Sequence, residues 1–296
     1  MDNLAIIILN YNSSSKIITQ VNKLKEEGIN PSTFYIVDND SAENDKKKLQ
    51  DYTSYLALNF TQSQENGGYA KGNILAFEKA LNDKKKYFLI LNPDIEISYS
   101  VVEGLYDRIK NDENLYFVGP RICDKFDREL IFSDGGNISK DHFFEASHTN
   151  GGKKINEVNI TEFNTNIDYV NGSALMLKKE TLDLVGMMRE DFFMYFEETE
   201  WCYRLKKIPN AKQAIITTLI AYHEMSKQDD FQNFYMIRNR IYLCRLHGLK
   251  YGSLILDFIY KAQKILFSKK GDFKTNVATF TSQLRAIFEG AFNKLA

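Results

Sequence analysis

Several short stretches of this 296-residue chain carry side chains that can bind or activate a ligand. In Phe192-Phe193-Met194-Tyr195-Phe196-Glu197-Glu198-Thr199-Glu200-Trp201, apolar and aromatic residues run directly into three carboxylates within four positions. A carboxylate set against aromatic rings and other acids loses hydration and feels like charge, and both raise its proton affinity. A general base is tuned in this way. The same acids also suit the positive end of a helix dipole, so a structural role competes with the catalytic one. Asn92, Asp94 and Glu96 follow an apolar run at a spacing of two, and a chain that stays extended would turn all three the same way. Oxygen donors of that kind suit Mg2+ or Mn2+, which also coordinate diphosphate oxygens; a solvated strand end is the plain alternative. His223 follows another apolar run and adds an imidazole able to bind metal.

Glu65-Asn66-Gly67-Gly68-Tyr69-Ala70-Lys71-Gly72-Asn73 has the composition of a loop leading into a helix. Its glycines allow close approach of a ligand to the backbone, and a helix N-terminus favours an anion. The spacing is not G-x-G-x-x-G, and no Gly-Lys-Ser/Thr follows. Dinucleotide-dependent redox chemistry and a P-loop nucleotidase are therefore excluded.

These groups need elements to position them. Leu4–Leu9 is a continuous β-branched run, as expected of a strand buried on both faces. Ile17, Ile18, Val21 and Leu24 repeat at helical spacing up to Gly28. Phe34–Val37, Tyr55–Phe60 and Tyr87–Leu91 read as further strands, and Ile74–Leu81 as part of a helix. Strands alternating with helices imply a mostly parallel sheet covered on both faces, the α/β class. In such a sheet ligands bind beyond the carboxyl ends of the strands. Asn10-Tyr11-Asn12, Asp38-Asn39-Asp40-Ser41 and Asn92-Pro93-Asp94 should converge there. Residues 120–165 show weak periodicity and read as loops or short antiparallel strands. Ser173–Leu177 and Ala214–Ala221 return to strand composition, with a helix starting at Glu197 between them. Beyond residue 231 two apolar stripes, Ile255 to Leu266 and Val277 to Ala291, read as helices separated at Gly271.

Hydrophobic residues make up 44% and charged residues 26%, an ordinary globular balance that excludes disorder and coiled coil as descriptions of the whole. No apolar run approaches the roughly 18 residues that span a bilayer. The short Leu4–Leu9 run, preceded by Asp2, is no signal peptide, so a cytoplasmic protein is expected. Cys123, Cys202 and Cys244 form no CxxC pair. Residues 231–296 hold eleven Lys and Arg against three Asp and Glu, a balance of +8, on a body of balance −9. A basic segment of this kind meets an anionic partner or packs on an acidic neighbour.

Taken together, these stretches resemble family 2 of the inverting glycosyltransferases, which have the GT-A fold, and most closely its rhamnosyltransferase-like branch. The resemblance covers residues 4–245. It is carried by Ile7–Asn12, Val37-Asp38-Asn39, Asn66–Asn73, Leu91-Asn92-Pro93-Asp94, Val170–Ala174, Glu197–Glu200, His223, Tyr235 and Arg238-Asn239-Arg240. It implies that Tyr11 and Asp38 contact the nucleoside. Asn66, Gly68, Lys71 and Asn73 would wall the donor site, with Asn92 and Asp94 beside the diphosphate. Asp94 and His223 would hold Mg2+ or Mn2+, and Glu198 would be the base. Glu197, Trp201 and Arg238 are expected at the acceptor or its phosphate. Asn92 stands where the family has Asp, and Glu197-Glu198 where Glu-Asp is more usual. The Q-x-x-R-W signature of processive synthases is absent, which implies one sugar per encounter.

The resulting expectation is a catalytic domain over 1–230 and a basic helical segment over 231–296. The enzyme would move one sugar from a UDP- or dTDP-sugar to a glycan or lipid-linked acceptor, in the cytoplasm and at the inner face of the cell membrane. No nucleic-acid partner is expected. A nucleotidyltransferase would need a basic loop near the N-terminus, where residues 10–16 supply only Lys16. A non-catalytic carbohydrate-binding module would have no need of Asp94, Glu198 and His223 together.

Overall fold

The run Leu-Ala-Ile-Ile-Ile-Leu-Asn forms β1 (Leu4–Asn10), with no exposure at Leu4 through Ile8. Both faces are covered because alternate residues point to opposite sides of a strand. The computed structural model describes residues 1–158, 162–224, 229–268 and 272–292. After β1 come α1 (Ser14–Glu26), β2 (Phe34–Asp38), α2 (Glu43–Tyr55), β3 (Asn59–Gln62), α3 (Gly68–Asn82), β4 (Tyr87–Leu91), α4 (Tyr99–Asn111) and β5 (Leu115–Asp124). Short strands β6 (Ile131–Ser133), β7 (Gly136–Ser139), β8 (Glu145–His148) and β9 (Phe163–Asn164) follow. Then come β10 (Ala174–Lys178), α5 (Lys179–Val185), α6 (Glu197–Lys206), β11 (Lys212–His223), α7 (Asp230–Leu246), α8 (Gly252–Leu266) and α9 (Phe273–Phe292).

The main sheet has the order β3-β2-β1-β4-β10-β5-β11-β9, with β6 on β5. β3, β2, β1 and β4 are parallel, β10 runs antiparallel between β4 and β5, and β11 is parallel to β5. On one face Ile6, Ile8, Leu89 and Leu91 share a core with Ile17, Val21 and Leu24 of α1 and Val102 and Leu105 of α4. On the other, Phe88 meets Phe77 of α3 at 5.2 Å, and Trp201 of α6 meets Phe77 and Phe117 edge-on. The α/β class and the mostly parallel sheet are as the sequence predicts.

Three segments differ from the sequence reading. Residues 43–55 are helix, so the third strand begins only at Asn59. Leu49 and Thr53 are the buried side chains of that helix, which leaves almost no periodic signal. Residues 115–124 form a ten-residue central strand where loops were expected from 120 onward. Pro120 disguises it, since proline cannot donate to a ladder and normally marks an edge. The partner β11 shifts register between Ile216, opposite Pro120, and Ile220. In α9 the expected stripe is only partly inward. Ile287 and Ala291 are buried, whereas Leu284 and Phe288 are exposed. The break expected at Gly271 lies outside the described residues.

The chain divides into two compact units. One holds Met1–Asn137, Ser147–Phe193 and Glu197–Met225; the other holds Ile138–Ala146, Met194–Phe196 and Ser226–Ala296. The second unit is helical, with α9 against both α7 and α8. Gly290 lets α9 approach α7 closely, because a Cβ there would lie 2.5 Å from the Arg238 carbonyl oxygen. Among the described residues no helix is long and apolar enough to cross a membrane.

Candidate active site

The strand order 3-2-1-4 places β1 beside β4 with their crossovers leading in opposite directions, which opens a crevice at the carboxyl ends of these two strands. At the tip of β1 the fully buried Asn10 amide nitrogen lies 2.8 Å from Asp38 Oδ1, 3.0 Å from Ser41 Oγ and 2.8 Å from Asp45 Oδ2. Asp45 also accepts from the Ser14 backbone and hydroxyl. Burial works against the Asp45 carboxylate, but the Asn10 and Ser14 hydrogen bonds outweigh it and hold its proton affinity below the usual value. Asp38 is fully buried in this network. Tyr11 is half exposed.

The tip of β2 organises the glycine loop. Asn39 donates to Asn66 Oδ1 at 2.8 Å and to the Gly68 carbonyl, and accepts from Gly67 N–H. Asn66 in turn accepts from Gly68 N–H at 3.1 Å. Gly68 is the position that only glycine fits: φ is +81°, and a Cβ would lie 2.2 Å from the Phe193 carbonyl oxygen. That oxygen accepts from Tyr69 N–H at 2.5 Å, so the start of α3 is pinned to the segment before the acids. Asn73 is fully buried, donates to the Tyr69 carbonyl at 2.8 Å and leaves Oδ1 without a partner. Lys71 is held by Glu65 on the surface at 2.5 Å.

At the end of β4 the chain turns instead of staying extended. Ile95 N–H donates to the Asn92 carbonyl, and Gln20 of α1 donates to the carbonyls of Asn92 and Ile95 at 3.0 and 2.6 Å. Glu96 is thereby carried away from Asp94 and pairs with Arg128 at 2.8 Å and Lys23 at 3.7 Å. The same-face expectation for Asn92, Asp94 and Glu96 fails for this reason. Asp94 faces His223 instead, with Oδ1 3.5 Å from Nε2. Burial raises the Asp94 carboxyl, but the His223 contact and the Lys16 charge more than offset it, leaving its proton affinity below the ordinary value.

Among the described residues no group of three or more His, Cys, Asp or Glu side chains is placed to hold a metal. The Asp94–His223 pair nevertheless fits a divalent ion as a half-site. Asp94 Oδ1 and His223 Nε2, 3.5 Å apart, are an oxygen and a nitrogen donor of the kinds such an ion takes. Diphosphate oxygens and water suit the remaining positions of such an ion.

The acids lie at the start of α6. Glu197 is 4% exposed and Glu198 is partly buried, and each leaves Oε2 without a partner. Burial and the neighbouring Glu198 charge raise Glu197 well above the ordinary glutamate value. Burial also raises Glu198, opposed by backbone hydrogen bonds at Glu198, Thr199 and Gly172. Glu198 rests on Gly172, where a Cβ would lie 3.2 Å from its Cγ. The next residue, Ser173, accepts from Asn92 N–H at 2.9 Å. The base candidate and the Asp94 turn are thus linked through two residues. Tyr69 lies among them: its hydroxyl donates to the Gly172 carbonyl at 2.8 Å. Burial and then the charges of Glu197, Glu198 and Asp94 hold it neutral.

Two expected acceptor contacts are corrected. Trp201 is fully buried, donates to the Gly186 carbonyl at 2.8 Å and packs in the core, so it offers no face to an acceptor. Arg238 is buried within the helical unit, where it donates to Asn239 at 2.8 Å and lies 3.7 Å from Glu289. It presents no free charge to a phosphate. Sequence reasoning gave no part to Gln20 or Asp45, and it met Asn10 and Tyr69 only as members of the β1 tip and of the 66–73 loop, without a role of their own.

The mostly parallel sheet and its flanking helices are the GT-A fold. The structure is similar to GalNAc-T7 with UDP, GalNAc and Mn2+, with a TM-score of 0.64 and 13% identity over 96% of this chain and 55% of that one. It is also similar to the mannosyltransferase PcManGT of Pyrobaculum calidifontis in complex with GDP-Man and Mn2+, with a TM-score of 0.58 and 10% identity over 99% of this chain and 88% of that one. For S. aureus TarS 1–349 in complex with UDP-GlcNAc the TM-score is 0.55, with 15% identity over 96% and 72%. Residues 5–179 match the model of Glycosyl transferase family 2, and the chain belongs to that family. The low-salt glycan biosynthesis hexosyltransferase Agl10 of Haloferax volcanii is 28% identical over 283 residues, 91% of this chain and 87% of its own. The dTDP-rhamnosyl transferase RfbF of Shigella flexneri is 26% identical over 203 residues, which are 68% of this chain and 62% of RfbF.

Proposed function

We propose that this glycosyltransferase moves one sugar, with inversion, from a UDP- or dTDP-sugar to a hydroxyl of a glycan or lipid-linked acceptor in cell-surface polysaccharide synthesis. The observation that carries the reading is the buried Glu197–Glu198 pair, which is linked through Gly172 and Ser173 to the turn bearing Asp94. Two adjacent carboxylates out of water do not both ionise readily. Glu197 is the more enclosed and keeps its proton, while Glu198 is more open and ionises first. Glu198 then removes the acceptor proton from the face opposite the departing diphosphate. The half-exposed Tyr11 stacks on the base, and the pinned start of α3 turns backbone N–H groups toward an anion. Asp94 and His223 would hold a divalent ion, Mg2+ or Mn2+, which would supply charge neutralisation to the diphosphate leaving group.

The donors named for the structural neighbours, GDP-Man and UDP-GlcNAc, and the dTDP-rhamnosyl activity named for RfbF support a nucleotide-sugar donor. We place the catalytic domain at 1–230, the basic helical segment at 231–296, and the enzyme in the cytoplasm against the inner face of the membrane. The segment's balance of +8 and its exposed Leu256, Tyr260, Phe267 and Phe273 support the last point. A screen of nucleotide sugars with Mn2+ or Mg2+ tests the reading. Nucleoside diphosphate release that chelator abolishes is expected; equal release in chelator would remove the metal from the account.

A further inference from the structure

A line of aromatic rings runs from the Asp94–His223 pair toward Glu198, all of it within the sheet-containing unit. Phe132 of β6 lies beside His223, with ring centres 5.5 Å apart and planes inclined by 34°. His148, the last residue of β8, meets the same Phe132 ring edge-on at 4.6 Å, and Tyr169 meets His148 at 6.3 Å. Burial first and then the Glu198 charge raise the Tyr169 hydroxyl above the ordinary tyrosine value, so this ring is within reach of Glu198. On the other side Asp94 and Glu198 are connected through Asn92, Ser173 and Gly172. The contacts form a closed circuit, with Asp94 and His223 at one pole and Glu198 at the other.

Exposure differs along the line. Tyr169 is buried, whereas Phe132 is partly exposed and His148 is exposed. The backbone that carries His148 is tied to the end of β6. Thr149 N–H donates to the Gly135 carbonyl at 2.8 Å, and Asp134 N–H to the Thr149 carbonyl at 3.0 Å. Asp134 is held in turn by Arg121 through two bonds of 2.7 Å, with both side chains buried. The imidazole is fixed as well, because His148 Nδ1 lies 3.1 Å from the Phe132 carbonyl oxygen. A carbonyl only accepts, so Nδ1 carries the proton and Nε2 of the neutral ring is an acceptor. Among the described residues nothing bonds to that nitrogen. A phenyl ring beside an imidazole acceptor suits a sugar. The negative ring face attracts the C–H hydrogens on one side of a pyranose, and the nitrogen accepts from a hydroxyl.

We propose that Phe132 and His148 bind the sugar ring of the acceptor, with Phe132 stacked against it and His148 Nε2 accepting from one of its hydroxyls. This rests on the glycosyltransferase reading with Glu198 as base. The occupant is the acceptor and not the donor, because the donor is fixed through its diphosphate at Asp94. The rings lead away from Asp94 toward the carboxylate that takes the acceptor's proton.

His148→Asn keeps an N–H for the Phe132 carbonyl and removes Nε2. Phe132→Leu keeps apolar bulk and removes the ring. Saturation-transfer NMR with the methyl glycosides of glucose, galactose, rhamnose and N-acetylglucosamine, on enzyme loaded with UDP or dTDP and Mn2+, reads sugar binding. Calorimetry reads UDP and dTDP affinity. At least one glycoside should bind the wild type through the C–H protons of one ring face. Each variant should weaken that binding ~3- to 10-fold, the size of one hydrogen bond or aromatic contact, with nucleotide affinity within about twofold. No glycoside binding to the loaded wild type would overturn the inference, as would full binding in either variant or weakening no larger than the loss of folded protein. A parallel loss of nucleotide affinity would also overturn it and put the rings in the donor site. If neither UDP nor dTDP binds the wild type, the donor reading fails and this inference with it; if they bind and no glycoside does, only this inference fails.

Discussion

The Tyr69 hydroxyl donates to the Gly172 carbonyl at 2.8 Å, tying the start of α3 to the residue on which Glu198 rests. The glycine loop and the Gly172 backbone on which Glu198 of α6 rests are therefore one hydrogen-bonded unit. Tyr69→Phe removes this link without changing packing. A hydrogen bond of about 1–2 kcal/mol felt at the transition state corresponds to a loss of about 5- to 30-fold in kcat. Steady-state release of nucleoside diphosphate measures it, and a variant at wild-type kcat would show that the link does not serve the reaction.

Glu198→Gln retains size and removes the proton acceptor. Turnover should fall by ~10²–10⁴ on general-base magnitudes, with donor affinity nearly unchanged. Burial raises the Glu198 carboxyl above the ordinary glutamate value of 4.5, and only its ionised form accepts a proton. The acid limb of the kcat profile should therefore lie above that value. A more damaging Glu197→Gln would assign the base to the other acid.

The same shifts act on stability. A carboxyl whose proton affinity is higher folded than unfolded favours the folded state while protonated, and that contribution is lost as pH rises through the folded value. The Glu197 and Glu198 shifts are both upward, so ionising the pair at neutral pH is unfavourable to folding. Glu197→Gln should raise the thermal midpoint at pH 7–8 and make little difference near pH 4, where the wild-type acid is protonated in both states. Scanning calorimetry at the two pH values decides this; a midpoint lowered at pH 8 would mean that the Glu197 charge is satisfied.

Phe267, which follows the last residue of α8, and Phe273, the first of α9, are 80% and 74% exposed, with Lys264 4.4 Å over the Tyr260 ring. Lys269 and Lys270 lie outside the described residues. An aromatic and lysine-rich surface suits an anionic leaflet, where each charge contributes about 1 kcal/mol. Liposome sedimentation should show binding that requires anionic lipid, weakens with salt and drops when Lys261, Lys264, Lys269, Lys270 and Lys274 become Gln. Equal partition onto neutral vesicles, or no binding at low salt, would leave these helices as a packing surface.

Strands buried on both faces were legible in the sequence, because Leu4–Leu9 and Tyr87–Leu91 have no alternation to confuse. Helix α2 was not, since its contact with the core rests on Leu49 and Thr53, nor was β5, whose Pro120 mimics an edge. Asp94, His223 and the two glutamates stood out by residue type. Their second ranks did not. Gln20 acts from mid-helix through its amide on a turn 72 residues away. Backbone carbonyls leave no trace in residue type. Trp201 misled because an aromatic beside acids reads equally as a binding wall or as core.

The central claim is inverting transfer from a nucleotide-diphosphate sugar with Glu198 as base. Proton NMR of a turnover mixture with UDP- and dTDP-sugars, Mn2+ and a glycan acceptor tests it most directly, since the anomeric coupling of the first product reports configuration. The account predicts nucleoside diphosphate together with a product of opposite anomeric configuration to the donor, both missing with Glu198→Gln. A product that keeps the donor's configuration would contradict it.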